Sequence, residues 1–240
     1  MATLQQVLYL NNQGVSLLSS SNPNATKLAL QYLNQALAMA TRCDAFNVPV
    51  DAGRHLSDQE VWEICGFPAI QIDFLQDSAF YVFNHAVWAD PEALATVSCQ
   101  SEKTATLLAV ITLFNTALGF TKLADLTLAT AQDGKTGSLY RKSLQLYAHV
   151  TEIIKGASQT YIDRTLLFFL VVAQNNYLYV ALQLGLSVEA ASMLEAMEPL
   201  LEQWGHVFFP DAMPCIEEVM LNTTILRMTN IFASLPAAAA

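Results

Sequence analysis

QNNYLYVALQLGLSVEAASMLEAM, residues 174–197, reads as two helices folded back on one another. Leu178 and Ala181 precede Gly185 on the first helix. Ala190, Leu194 and Met197 follow on the second at steps of four and three, the spacing of one helical face. Gly185 supplies the turn, and Ser187 stands where an N-cap belongs. Small side chains such as Ala190 let two helices approach closely, while Leu194 fills the space towards a neighbouring hairpin.

The motif occurs twice more upstream. Leu10-Asn11-Asn12-Gln13-Gly14 leads to Ala29, Leu33 and Ala36, and Phe114-Asn115-Thr116-Ala117 leads to Ser143, Tyr147 and Val150. A small residue in the middle of one helix, then small, bulky and small-to-medium residues in the next, resembles the tetratricopeptide (TPR) helix-turn-helix repeat. The copies are divergent: the usual Trp, the Tyr of the first helix and the closing Pro are missing, and the spacing is not the regular ~34 residues of that repeat. The double-Asn helices, the segment from Phe80 to Trp88 ahead of a long helix bearing Phe-Asn-Thr-Ala-Leu, and the short Ala-rich tail are also similar to a family of TPR-like proteins expanded in diatoms. That likeness implies a fold and no activity.

The remaining helices follow from the same periodicity. Thr3 and Gln6 form a capping box for a helix to about Ser19, and a turn at 20–24 leads to a second helix ending near Arg42. Further helices are predicted near 101–130, 137–156, 160–184, 187–204 and 213–233, with Thr160 as another N-cap and Pro214 in the first turn of the last. Pro199 is expected to kink its helix or end it early. Between residues 45 and 90, Pro49, Gly53, Gly66 and Pro68 break the helical pattern. Ile70, Ile72 and Phe74 alternate with polar residues there, and Phe80 to Phe83 continue to Trp88, with Gln76-Asp77-Ser78 as a connection. Ser57 and Glu60 have the spacing that starts a short helix. The expected fold is mainly α: a TPR-like α-solenoid of about three helical hairpins plus a C-terminal capping helix, carrying a short extended or β-hairpin-like insertion. It forms one domain over 1–235 with the insertion at about 45–95, followed by an Ala-rich tail at 236–240.

Composition excludes several classes. Of 240 residues, 53% are apolar and 13% charged, the latter about half the usual share, so the chain builds a large core without disulfide or metal and is not disordered. A net charge of −10 repels a phosphate backbone, which argues against a nucleic-acid partner. The first residues lack a basic and apolar leader pattern. The apolar runs Thr106 to Phe120 and Leu166 to Ala173 are interrupted by polar residues and fall short of the ~20 needed for a membrane span. Cys43, Cys65, Cys99 and Cys215 form no C-x-x-C pair, which fits free thiols in a reducing compartment, the cytoplasm, with the nucleus left open. In that compartment the acceptor patterns at Asn24 and Asn222 go unused.

Chemistry-bearing constellations are absent from the pattern. His55, His85, His149 and His206 have no partner at a recurring ligand spacing, so no metal is expected. Cys65 with His55 or His85 lacks an orienting group and an oxyanion hole. Asp133-Gly134-Lys135-Thr136-Gly137 lacks the strand and glycine spacing of a phosphate loop and reads as an interhelical turn. No cofactor and no enzyme activity are therefore expected. Glu189, Glu195, Glu198 and Glu202 read as a solvated helix face, with a basic partner as the alternative. The asparagines carry more information, because Asn is a poor interior helix residue and a buried amide must find partners. In the repeat register, Asn11, Val15 and Leu18, then Phe114 and Leu118, then Asn175, Tyr179 and Leu182 face a concave groove. Its amides either bond a peptide backbone or tie adjacent helices together. TPR domains that hold acidic carboxyl termini use Lys and Arg there; here Lys122 is the only nearby base. The expected function is a non-catalytic protein-protein interaction scaffold or adaptor binding a protein or peptide. The alternatives are a small apolar or lipid-like ligand held in the helical core, and a homo-oligomer paired through Phe80 to Trp88.

Overall fold

The computed structural model describes residues 4–20, 22–40, 65–66, 82–90, 102–129, 133–157, 164–204 and 213–228, and these are mainly helical. In chain order they form α1 (Leu4–Leu18), α2 (Pro23–Ala40), β1 (Cys65–Gly66), β2 (Trp88–Ala89), α3 (Glu102–Ala129), α4 (Asp133–Ala157), α5 (Arg164–Gln183), α6 (Ser187–Trp204) and α7 (Met213–Met228).

The helix ends follow local chemistry. Asn22 caps α2: its Oδ1 accepts the Asn24 N–H at 2.8 Å, its carbonyl accepts the Thr26 N–H at 3.0 Å, and Pro23 occupies the first helical position, where no N–H is required. Gly185 closes α5 at a φ of +69°. The Leu186 N–H bonds the Ala181 carbonyl at 2.9 Å and the Gly185 N–H bonds that of Leu182 at 3.0 Å, a Schellman closure that only a residue tolerant of positive φ accepts easily. The first bond of α6 runs from the Ala190 N–H to the Leu186 carbonyl, so the cap is Leu186, one residue before the expected Ser187.

Two expectations are corrected. Pro199 does not end α6, which continues to Trp204. Pro199 and Glu195 are both exposed, so water serves the carbonyl that lost its donor. Helix α4 starts at Asp133 rather than 137, which makes Asp133 to Gly137 its first turn and not a loop. Thr3, Thr160, residues 229–233 and the Ala tail lie outside the described residues, as do the Ser57–Glu60 helix start and the Ile70 to Phe74 run.

Packing follows chain order: α1 lies on α2, α2 on α3, α3 on α4, α4 on α5 and α5 on α6, with α7 against α5 and α6. Helices α1, α3, α5 and α7 also touch in succession. Helices α3 and α4 run antiparallel, since Phe114 meets Tyr147, Ala117 meets Ser143 and Asp125 meets Tyr140. The small residues of the motif sit at the closest approaches. A Cβ on Gly14 would fall 2.6 Å from Leu33 Cγ, and one on Gly119 would fall 2.9 Å from Leu30 Cδ2, distances at which overpacking costs about 1–3 kcal/mol. Ala29, Leu33, Ala36, Tyr147, Val150, Ala190, Leu194 and Met197 are all buried.

Thr104–Ala129 and Arg164–Gln183 are long and apolar enough by composition to cross a membrane, more than their interrupted runs suggested, but most of both is buried against other helices. On the first of them the threonines are served locally: Thr112, Thr116 and Thr121 bond the carbonyls four residues before them.

In the insertion, β1 pairs antiparallel with β2, Cys65 opposite Ala89 and Gly66 opposite Trp88. The hairpin expected around Gln76 to Ser78 lies outside the described residues. Val82 to Asp90 runs without helix against α1, α3 and α5, with Phe83, Val87 and Ala89 fully buried.

Candidate functional site

Three asparagines, Asn12, Asn115 and Asn176, converge on this one segment. Asn176 Oδ1 accepts the Phe83 N–H at 3.0 Å and its Nδ2 donates to the Phe83 carbonyl at 2.8 Å. Asn115 makes the same pair with Val87, at 2.8 and 2.6 Å, and Asn12 does so with Ala89, at 3.1 and 2.8 Å. Each carboxamide thus serves both backbone groups of one residue, as an adjacent β-strand would. The amide is suited to this because it carries donor and acceptor together and no charge. Trp88, between two clasped residues, pairs instead with Gly66 of β1, so β2 has partners on both edges.

The three asparagines occupy the same place in the sequence motif. Asn12, Asn115 and Asn176 each stand two residues before Gly14, Ala117 and Leu178, on α1, α3 and α5. The segment crosses them in reverse order, meeting α5 at Phe83, α3 at Val87 and α1 at Ala89. Neighbouring amides complete the row. Asn115 Nδ2 donates to Asn11 Oδ1 at 3.0 Å, and Asn222 Nδ2 on α7 donates to Asn175 Oδ1 at 2.8 Å. Asn176 Nδ2 also reaches the Tyr147 hydroxyl at 3.2 Å. Burial raises the pKa of Tyr147, so this hydroxyl stays protonated.

Aromatic side chains shape the place that Phe83 fills. Its ring lies 5.6 Å from that of Phe168, edge to face, and 5.8 Å from that of Phe114. Phe114 in turn meets Phe169 and Tyr147, each at 5.7 Å.

A second polar group lies further along the same helices. Lys122 Nζ donates to the Leu18 carbonyl at the end of α1, at 3.1 Å. Asp125 Oδ1 accepts the Tyr140 hydroxyl at 2.6 Å and the Tyr179 hydroxyl at 3.1 Å. Burial raises the Asp125 pKa, and the two hydroxyls and Lys122 oppose it. Burial lowers that of Lys122, opposed by Asp125. Tyr179 is pushed up to about 12, first by burial and then by the adjacent carboxylate.

Comparison with family models, with curated proteins and with solved structures gives no match.

The residues expected in a groove divide into three sets. Asn11 and Asn175 are buried in the amide row, supporting the clasps rather than making them. Asn11 does approach the Val87 carbonyl, at 3.5 Å. Leu18, Phe114 and Leu118 are buried core residues. Val15, Tyr179 and Leu182 are half-buried, and Tyr179 joins the Asp125 group. The sequence reading missed Asn12, Asn115 and Asn176 as the clasping set, together with Asp125. The signal that finds the asparagines is their common position two residues before Gly14, Ala117 and Leu178. Among the described residues, no cluster of three or more His, Cys, Asp or Glu side chains has the geometry of a metal site. His149 faces Glu152 at 3.4 Å on the surface, and Cys215 is a buried thiol outside any disulfide.

Proposed function

We propose that this chain is a non-catalytic helical repeat protein that binds a protein or peptide along the inner face of a short α-solenoid of TPR-like hairpins. Helix-on-helix packing in chain order and one asparagine at the same position of α1, α3 and α5 support the repeat architecture. One observation carries the function: three amides at the same motif position hold a non-helical stretch of polypeptide by its backbone at Phe83, Val87 and Ala89. A face organised in this way selects extended chain through main-chain bonds and leaves side-chain choice to the pockets between helices.

Towards the C-terminal ends of α1 and α5, Val15, Tyr179 and Leu182 are half-buried, with Tyr179 bonded to Asp125 and Lys122 bonded to the end of α1. A partner seated there meets apolar side chains with a few polar groups. The test is affinity capture with the tagged protein, comparing the natural chain with Tyr179→Ala/Leu182→Ser. The expected outcome is a stoichiometric partner retained by the first and lost by the second, with the helical circular-dichroism signal equal in both. Equal capture by both moves the site off this face.

A further inference from the structure

Resting on that reading, we propose that Val82 to Asp90 is an exchangeable occupant of the amide row. The partner supplies an extended, uncharged segment with an aromatic residue, an aliphatic residue four positions later and a small residue two beyond that.

Three observations lead to this. The clasps touch only backbone atoms of Phe83, Val87 and Ala89, so the row accepts any segment whose side chains fit. Those three residues are fully buried whereas Trp88 is 41% exposed, so the positions that are read are 83, 87 and 89. The helical frame is continuous without the strand, because α2 packs directly on α3 although the whole insertion lies between them in the chain. The segment is therefore an addition to a stack in which α2 and α3 meet without it. Its departure uncovers buried amides and the rings of Phe114 and Phe168, which is why a replacement of the same pattern is required. An occupant tethered in the same chain competes at high effective concentration, so an incoming segment binds with an affinity reduced by the fraction of time the row is open.

The experiment uses the full chain and a fluorescein-labelled peptide of sequence YVFNHAVWADP, residues 81–91, read by fluorescence anisotropy. Phe83→Ala/Val87→Asp, which weakens the internal occupant, is expected to bind this peptide at least tenfold more tightly than the natural chain. Adding Asn115→Ala is expected to reverse the gain, and a peptide with Asp in place of its Phe is expected not to bind. Absence of binding by the folded double variant, or binding that ignores Asn115, overturns the proposal. Should the double variant lose its helical signal, hydrogen exchange on the natural chain replaces it. Exchange at Val87 and Ala89 faster than at the centres of α3 and α5 supports an occupant that leaves, and exchange only by global unfolding overturns it. A natural chain that light scattering finds dimeric, and that Phe83→Ala/Val87→Asp makes monomeric, identifies the occupant as a second copy and also overturns it. If the strand proves fixed while capture still depends on Tyr179 and Leu182, this inference fails and the functional reading stands.

Discussion

Helices α1, α3 and α5 carry two polar regions, and they solve burial differently. Around Val87 the groups are neutral amides: Asn115 is fully buried, and the carboxamide and the peptide group it faces satisfy each other. Around Asp125 the groups are ionisable, and the carboxylate and ammonium remain only half-buried even with two tyrosines and a helix end as partners. A carboxamide loses little on leaving water when donor and acceptor are both met, whereas a charge retains a desolvation cost that shows as a shifted pKa. The first region can therefore be dry and insensitive to pH. The second cannot.

The contrast can be broken most severely at its dry side. Asn115→Leu leaves the Val87 N–H buried without its partner and the Val87 carbonyl with only the long approach of Asn11 at 3.5 Å, and is expected to lower stability by about 2–4 kcal/mol in urea denaturation. Asn12→Ala, at the half-exposed end of the row, lets water replace the amide and is expected to cost about 1 kcal/mol. Equal losses at the two positions would show that burial does not set the value of a clasp.

Gln174 sharpens the comparison from the other direction. It neighbours the amide row on α5 and is fully buried, yet neither its Nε2 nor its Oε1 has a hydrogen-bond partner. Gln174→Leu is expected to raise stability by about 1–3 kcal/mol, where the same exchange at Asn115 lowers it. A loss at Gln174 would mean that its amide is in fact served.

The smallest effect is expected at Asp125. Because its pKa is raised in the folded chain, the folded state holds the proton more tightly than the unfolded state. The contribution is fully present below the ordinary carboxylate pKa and is lost as pH rises through the raised value. Asp125→Asn keeps an acceptor for both tyrosines and removes the titration. Its urea midpoint relative to the natural chain is expected to improve as pH rises from about 4 through the raised pKa, and then to level off. A constant difference would place the titration elsewhere, and the Asn115 variant serves as the control whose difference stays flat.

Much of the helical framework was legible because apolar spacing is a local property. The hairpin at 174–197, with Gly185 as its turn, stands where the pattern put it. Helix α4 starts early because Asp133 and Gly134 look like a turn in sequence but sit at a helix end, where both residues are tolerated. The amides were legible as a class and not in register. In a double Asn the two side chains diverge by ~100° around the helix, and nothing local says which one meets a backbone. Asn11 and Asn175 were favoured, whereas Asn12 and Asn176 make the clasps. Asn115, single and flanked by Phe114 and Thr116, drew no attention as a binding residue. The strand's resting place depends on partners up to 93 positions away in the chain, which alternation within Phe80 to Trp88 cannot encode.

That separation also sets a schedule for synthesis. Phe83 leaves the ribosome 93 residues ahead of Asn176, the side chain that clasps it. At ~5–20 residues per second, the aromatic end of the strand waits for roughly 5–20 s before α5 exists to receive it. During that interval an apolar segment of natural strand-forming residues is exposed in the nascent chain, and anything that shields it then, a chaperone or a binding protein with its own extended-chain groove, acts before the fold can.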